Sequence, residues 1–326
     1  MARKTCIETL GLTVGYTNNS LLEHLNLKLR AGDLVCFMGQ NGVGKSTLIK
    51  TLAGLQRPLS GKISYKSLES QNHSDLPRSL AVVLTDRITA GNMTVSDVIS
   101  FGRYPYLNWA ASLRDDDKEI IDRALTAIRI EHLKDKNINE LSDGQVQMVM
   151  IARAVVQDTP IILLDEPTAH LDLNNRLEIM GLLRKLAHQS NKAILVSTHE
   201  LDLAIQTADI IWLAGPDKKI TVGIPEDLIL NGTFDSVFQF KGFDLKTGKV
   251  YHEPHRGLSI NITGTGHELL WTKNALERNG FSIREGEAAY KINIEHHHGT
   301  LQWIVNNEGT FVSLQELLHF LDSKVQ

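Results

Sequence analysis

The stretch GQNGVGKSTL, from Gly39 to Leu48, decides the fold of this chain. Three of its first six residues are glycines, and each glycine in a regular helix or strand costs about 0.5–1 kcal/mol relative to alanine. A fully apolar run, 34–39, leads into it, and a helical pattern, 46–55, follows it. The composition therefore predicts a loop of bare backbone between a buried strand and a helix.

The loop fits the pattern G-x-x-x-x-G-K-[ST], which binds the phosphates of a nucleoside triphosphate. Consecutive backbone N–H groups in such a loop point at an anion, and the positive end of the next helix faces the same point. Lys45 then reaches the β- and γ-phosphates, and the Ser46 hydroxyl suits Mg²⁺. A glycine-rich turn without a ligand is the alternative, which the lysine, the serine and the flanking strand disfavour.

Composition narrows the class of protein. The 326 residues allow one large and one small domain, and 42% hydrophobic and 22% charged residues are typical of a soluble globular chain. The net charge of −4 argues against non-specific binding of nucleic acid, and we expect no direct contact with it. Cys6 and Cys36 lie in apolar runs, as reduced core cysteines do. Without a membrane-spanning run or a signal peptide, we expect a cytoplasmic protein that reaches a membrane only through a partner.

Apolar runs alternate with helical patterns along most of the chain, which predicts an α/β fold with a parallel sheet covered on both faces. A mostly helical section, about 90–157, interrupts the alternation. From about 257, short alternating segments surround helices at 267–279 and 313–322, which predicts a small α+β domain. The expected domains are thus 1–253 and 257–326. The apolar runs that predict strands of the sheet are 34–39, 161–167, 193–200 and 210–216.

Two further motifs follow the loop along the chain. The run IILLDEP ends in Asp165 and Glu166, which are suited to holding Mg²⁺ through water and to polarising an attacking water. A merely solvated carboxylate pair is the alternative, and a phosphate-binding loop upstream disfavours it. The segment LSDGQ, 141–145, is a glycine-containing turn that opens a helix, and its serine and helix N-terminus supply donors to an anion.

This combination resembles the ATP-binding cassette (ABC) family over residues 1 to about 253. The resemblance implies a P-loop NTPase fold with a helical subdomain, ATP and Mg²⁺ as cofactors, and hydrolysis of ATP to ADP and phosphate. The LSGGQ signature of the family stands here as Leu141–Gln145. In the family this turn binds the γ-phosphate of ATP held by the other copy of the domain. The resemblance therefore implies a head-to-tail homodimer.

Other motifs match the family residue by residue. Tyr16 stands where the family places an aromatic that stacks on adenine, although packing in the core or exposure is the alternative. Ala169–Asp172 resembles the D-loop, which crosses the dimer interface, and His199 matches the histidine that contacts the γ-phosphate. A purely structural histidine is the alternative there. The implied catalytic residues are Lys45, Glu166 and His199, the metal ligands are Ser46, Asp86 and Asp165, and the ATP-binding residues are Tyr16, Gly39, Asn41, Gly42, Gly44, Lys45, Ser46, Thr47, Ser142, Gly144 and Gln145.

Two positions depart from the family pattern. Asp86 stands where the family usually has a glutamine that touches Mg²⁺ and couples the nucleotide to the transport channel. A carboxylate ligates Mg²⁺ but cannot donate a hydrogen bond when ionised, so we expect retained activity with altered metal affinity and coupling. Asp143 replaces a glycine of the signature, and its side chain either points away from the γ-phosphate or repels it.

Three segments together resemble the branch of the family that imports iron-siderophore, haem or vitamin B12: VSDVISFGRYPYLNW, 95–109, the run DDDKEIIDRAL behind it, and QDTPIILLDEPTAHLDL. That branch implies a transmembrane permease, an external substrate-binding protein and a place on the inner face of the membrane. Two rivals stay open, a non-transport cassette in a soluble assembly and a regulator that binds nucleotide without hydrolysis. The aromatic residues that either meet the permease or pack the helical subdomain are Phe101, Tyr104, Tyr106 and Trp109.

The C-terminal segment carries two weaker signals. A Gly-x-Gly turn, Gly264–Gly266, joins a strand pattern to a helix, but this turn alone is weak support for an anion site. His296–His298 lies in an alternating run, where neighbouring side chains face opposite sides. Because of that alternation, a surface strand or turn is favoured over a metal sensor. We expect a small regulatory or dimer-stabilising domain.

Overall fold

The computed structural model describes residues 3–66, 75–85, 91–109, 112–169, 171–240, 243–245, 248–250, 252–297, 299–306 and 308–324. The chain divides into two compact units, Met1–Gln239 and Phe240–Gln326. The second unit therefore includes the segment that precedes the predicted small domain. No helix in the described ranges is long and apolar enough to span a membrane.

The first unit alternates between strands and helices. Its strands are β1 (Thr5–Tyr16), β2 (Asn19–Leu25), β3 (Lys28–Arg30), β4 (Leu34–Gly39), β5 (Ser60–Tyr65), β6 (Leu80–Val83), β7 (Ile161–Asp165), β8 (Ala193–Ser197), β9 (Ile210–Ala214) and β10 (Ile220–Gly223). Its α-helices are α1 (Lys45–Leu52), α2 (Leu76–Ser79), α3 (Val95–Ser100), α4 (Asp115–Ile128), α5 (Asp143–Val156), α6 (Leu173–Ser190), α7 (Leu201–Thr207), α8 (Pro225–Leu230) and α9 (Thr233–Phe238).

The main sheet has the strand order β10-β9-β4-β8-β7-β6. Every strand runs parallel to its neighbours except β10, which is antiparallel to β9. All residues of β4, β7 and β8 are buried, as expected for strands covered on both faces. The strands predicted from the apolar runs are confirmed. Because parallel strands end at one edge, β4, β7 and β8 deliver their following loops to the same place.

A second, antiparallel sheet joins β1 to β2, β3 and β5, and the sequence alone did not predict it. The pairing of β1 with β2 shifts register between Leu12 and Val14, and its pairing with β5 shifts between Leu10 and Thr13. Such bulges break the two-residue period by which a half-buried strand is recognised. The side chains of this sheet that face the core pack with those of β4, among them Leu12 and Phe37.

The predicted helical section contains α3, α4, α5 and a 3-10 helix, Phe101–Tyr106. A buried ion pair fastens this 3-10 helix to α4, because Arg103 Nε donates to Asp117 Oδ1 at 2.7 Å. Arg103 is 8% exposed and Asp117 is 6% exposed. Burial raises the pKa of Asp117, but hydrogen bonds from the Arg114 backbone and from Arg103 outweigh burial and hold that pKa below its ordinary value.

Replacing Asp117 with alanine leaves the Arg103 guanidinium buried without its counter-charge, so we expect a loss of about 3–5 kcal/mol in the free energy of unfolding. Urea-induced unfolding measures this loss in the free energy of unfolding. Asp122→Ala removes an exposed pair with Lys134 and serves as the control, with an expected loss below about 1 kcal/mol. Because folding lowers the Asp117 pKa, its contribution is present above the unfolded-state pKa and is lost as pH falls through the folded-state pKa. Equal losses for both variants contradict this account.

The second unit is an α+β domain, so the predicted fold class is confirmed. Its sheet has the order β14-β13-β15-β16-β17, with a parallel segment through β13 and an antiparallel one through β16. Trp303 Nε1 donates to Thr272 Oγ1 at 2.8 Å within the core of this unit. The elements are β11 (Phe243–Asp244), β12 (Lys249–Val250), β13 (Ser259–Thr263), α10 (Gly266–Arg278), β14 (Ser282–Ile283), β15 (Tyr290–His297), β16 (Thr300–Val305), β17 (Gly309–Phe311) and α11 (Leu314–Asp322).

Candidate nucleotide-binding site

The glycine-rich loop joins β4 to α1, as the sequence predicts. Gly42 has φ 81° and Gly44 has φ 110°, a backbone region that favours glycine. A Cβ at Gly44 would lie 2.9 Å from Leu21 Cβ on β2, so the neighbouring antiparallel sheet leaves no room for a side chain there. The glycines thus let the loop curl closely in front of the α1 N-terminus, which is a favourable place for phosphate.

Lys45 is the buried cation of this loop, with 6% of its surface exposed. Its Nζ donates to the carbonyl oxygens of Gly39 at 3.1 Å and Gln40 at 3.4 Å. Burial lowers the Lys45 pKa below its ordinary value, and the carboxylates of Glu166 and Asp165 act in the opposite direction. Among the residues that the structure describes, this buried ammonium group bonds to two carbonyl oxygens. An anion would offer it stronger, charge-assisted bonds.

Asp165 ends β7 and is fully buried. Its Oδ1 accepts a hydrogen bond from Ser197 Oγ at 2.5 Å, whereas its buried Oδ2 has no hydrogen-bond partner among the residues that the structure describes. Burying a carboxylate oxygen without a partner costs free energy, unless a cation or a hydrogen-bond donor binds to that oxygen. Mg²⁺ binds oxygen ligands, so the carboxylate of Asp165 is suited to holding this ion.

The sequence analysis missed Ser197, although a signal for it exists. Ser197 ends β8, the next strand of the parallel sheet, and stands directly opposite Asp165 in the register. A hydroxyl at the carboxyl end of a buried strand next to a strand that ends in carboxylates is therefore a candidate partner.

Glu166 has φ 47°, a strained conformation for a residue with a side chain. Its N–H donates to Ser197 O at 3.1 Å and to Ser197 Oγ at 3.0 Å, which holds it there. Its Oε1 lies 3.6 Å from His199 Nδ1, so the two predicted catalytic groups are brought together. The side chain of Glu166 is 28% exposed and that of His199 is 56% exposed, which leaves both accessible to a ligand.

Tyr16 lies at the end of β1, opposite Asn19 in the β1–β2 hairpin, and is 62% exposed. Its exposure excludes core packing and leaves the ring free to stack on a base. Asn41 is exposed on the loop, Ser46 is exposed in the first turn of α1, and Thr47 is buried in the same helix. Two of the predicted positions, Asp86 and His170 of the D-loop, lie outside the described residues.

The signature turn caps α5. Ser142 Oγ accepts from Gln145 N at 3.3 Å, and Gln145 Oε1 accepts from Ser142 N at 3.1 Å. This reciprocal pair fixes the helix N-terminus. Within the described ranges, no hydrogen bond joins Ser142, Gly144 or Gln145 to the loop of Lys45.

In the second unit, His296 Nε2 lies 3.7 Å from Glu268 Oε1, and His298 is outside the described residues. Among the residues that the structure describes, no group of three or more metal-ligating side chains is found. The turn Gly264–Gly266 does join β13 to α10, as predicted.

Comparison with known proteins decides the family. An uncharacterised ABC transporter ATP-binding protein of Methanocaldococcus jannaschii is 40% identical over 292 residues, which cover 87% of this chain and 100% of that protein. The profile of the family described as "ABC transporter" matches residues 22–169. This chain belongs to the ABC transporter ATPases. The predicted resemblance, the ATPase activity and the ATP-binding fold are thereby confirmed.

Three more similarities show which ABC ATPases this chain resembles. A second profile, "Iron ABC transporter C-terminal domain", matches residues 256–322. A probable siderophore transport system ATP-binding protein of Bacillus subtilis is 36% identical over 240 residues, covering 72% of this chain and 86% of that protein. A solved structure, an inward-facing conformation of a proposed metal-chelate type ABC transporter, is 28% identical with a TM-score of 0.64, covering 72% of this chain and 90% of that one.

Proposed function

We propose that this ABC ATPase is the ATP-hydrolysing subunit of an importer for an iron chelate. The observation that carries the proposal is the match of residues 256–322 to the C-terminal domain of iron ABC transporters, on the same chain as the cassette. The B. subtilis relative, described as part of a siderophore transport system, supports the same cargo class. The importer also needs a membrane permease, which places this subunit on the inner face of the membrane, and an external protein that delivers the chelate.

In this proposal, Lys45 and the backbone N–H groups of the loop bind the phosphates, and Tyr16 stacks on the adenine. Ser46 and Asp165 hold Mg²⁺, which neutralises charge on the phosphates when it is bound. Glu166 positions and polarises the attacking water, and His199 donates to the γ-phosphate. The short distance between Glu166 and His199 supports these roles, as does Asp165 Oδ2, which has no hydrogen-bond partner among the described residues.

The complete site needs two copies of the chain, arranged head to tail. The turn at Ser142 ends in a capped helix N-terminus, which is suited to an anion, yet it makes no hydrogen bond to its own nucleotide loop in the described part of the chain. In the dimer, Ser142, Gly144 and Gln145 of one copy face the γ-phosphate held by Lys45 of the other. ATP then joins the two copies, and hydrolysis releases them.

A cavity on the helical subdomain supports contact with a permease. It has a volume of about 370 Å³. Phe101 is 47% exposed and Tyr104 is 66% exposed at this cavity, and large exposed aromatics are typical anchors of protein interfaces. Tyr106 instead packs on Arg103, whose guanidinium lies 4.2 Å from the ring centre, so its role is structural. The lining residues are Met93, Asp97, Ser100, Phe101, Tyr104, Leu107 and Leu113.

We expect Phe101→Ala to weaken the complex with the permease by about 2 kcal/mol, or roughly thirtyfold, because it removes an aromatic anchor. The measurement is the amount of permease that co-purifies with the tagged chain from detergent-solubilised membranes. Leu230→Ala removes a 70% exposed side chain elsewhere on the first unit and is the matched control. Equal recovery of permease with both variants contradicts docking at this cavity.

Growth tests the proposed cargo. A strain that lacks this gene is expected to fail on a ferric siderophore as its only iron source and to recover when the wild-type chain is supplied. Growth that fails instead on haem keeps an iron chelate as the cargo but changes it from siderophore to haem. Growth that fails instead on vitamin B12 contradicts an iron chelate as the cargo. If the chain purifies in a soluble complex without a membrane protein, the importer proposal is wrong.

A further inference from the structure

A partly buried carboxylate next to the candidate site has a partner at each of its two oxygens. Glu200 directly follows His199, and its side chain is 14% exposed. Its Oε1 accepts a hydrogen bond from Thr168 Oγ1 at 3.0 Å, and its Oε2 lies 3.3 Å from Arg176 Nη1. A half-enclosed carboxylate with two partners on one other segment is a more rigid link than an exposed ion pair.

Both partners of Glu200 belong to the segment after Glu166. Thr168 is 2% exposed and lies in the turn that follows Glu166, of which the structure describes residues 167–169 and 171–172. Arg176 lies in the first part of α6. Arg176 Nε donates to Leu171 O at 2.7 Å, so the arginine holds the end of the turn while it meets Glu200. The turn is therefore fastened at its start through Thr168 and at its end through Leu171.

The same turn is bonded to the candidate base. Ala169 N donates to Glu166 O at 3.1 Å, and Leu171 N donates to Thr168 O at 3.3 Å. On the other side, Glu200 N donates to Thr198 Oγ1 at 3.0 Å, and Glu200 is the residue before α7. Because Glu200 directly follows His199 in the chain, a movement of the turn that shifts Glu200 also shifts the backbone of His199.

We propose that Glu200 and Arg176 are positioning residues that make His199 and the described residues of this turn, Thr168, Ala169 and Leu171, move as one body. This inference rests on the proposed function, in which His199 contacts the γ-phosphate in its own copy and the turn meets the second copy. The link then makes each site respond to closure at the other, so that two ATP molecules are hydrolysed cooperatively. Neither residue touches the nucleotide, and both act through His199.

The test compares Glu200→Gln with the wild-type full-length chain in steady-state ATP hydrolysis over a range of ATP concentrations. Glutamine keeps an acceptor for Thr168 but removes the charge that holds Arg176. We expect kcat to fall by roughly tenfold to a hundredfold, because a small misplacement of a catalytic group has effects of that size. The KM for ATP stays within about twofold, and the Hill coefficient falls from about 2, its limit for two sites, towards 1.

Glu178→Gln is the matched control, because Glu178 lies on the same helix and forms an exposed pair with Arg129 at 2.5 Å. It is expected to behave as wild type. Arg176→Gln removes the other partner of the same ion pair. This variant is used for the same measurements if Glu200→Gln fails to fold. Wild-type kcat and Hill coefficient in a folded link variant overturn this inference alone, as does a KM that rises as far as kcat falls. A wild-type chain that hydrolyses ATP without any cooperativity contradicts the head-to-tail dimer itself.

Discussion

Replacing Glu166 with glutamine is expected to lower ATP turnover by about 10²–10⁴-fold, the range lost when a general base is removed. Glutamine has nearly the same size, so the left-handed backbone and its two bonds from Glu166 N to Ser197 are retained. The carboxylate that polarises water is lost, whereas Lys45 and the loop amides still bind ATP. The variant should therefore accumulate as an ATP-bound dimer.

Two measurements check this result. Phosphate release gives the turnover, and size-exclusion chromatography with ATP and Mg²⁺ gives the fraction of dimer. Glu226→Gln changes a carboxylate in α8, away from the candidate site, and is the control for the substitution itself. Turnover close to wild type in Glu166→Gln would assign the general base to another group.

Replacing Lys45 with alanine is expected to weaken ATP binding by roughly ten- to a hundredfold, since a hydrogen bond from a charged group contributes about 1.5–3 kcal/mol. The substitution also removes the Lys45 ammonium group, which donates to the carbonyl oxygen of Gly39 inside the loop. Alanine itself favours a helix, so the first turn of α1 is expected to form in the variant. Equilibrium titration with a fluorescent ATP analogue gives the dissociation constant.

The control for this second variant is Lys185→Ala, which removes an exposed ammonium group from α6. It changes the net charge by the same amount without touching the loop. Because Lys45 is held by carbonyls and lies near carboxylates, its loss also removes the positive charge that balances Asp165 and Glu166. Unchanged affinity in Lys45→Ala would remove the lysine from the phosphate site.

Most of the main sheet can be predicted from the sequence, because strands buried on both faces are continuous apolar runs. The run at 34–39 matches β4 at both ends, and the runs at 161–167 and 193–200 extend only past the ends of β7 and β8. The antiparallel sheet escaped prediction, since its long strand β1 carries bulges that interrupt the alternation.

At the candidate site, too, some residues can be predicted from the sequence and others cannot. Short motifs identify Lys45, Asp165 and Glu166, because each stands at a fixed place relative to its strand. Ser197 and Glu200 depend instead on which strands are neighbours and on how α6 returns to the sheet, and that is tertiary information. Contacts over 30 or more positions, such as Ser197 with Asp165, follow from the strand order and not from any local pattern.

A structure of Glu166→Gln with ATP and Mg²⁺ tests the central claim most directly. The predicted result is a dimer in which Lys45 and Ser46 of one copy hold the triphosphate and the Ser142 hydroxyl of the other copy donates to its γ-phosphate. ATP bound at Lys45 with Ser142 of every copy facing solvent, or an empty loop, would contradict the account.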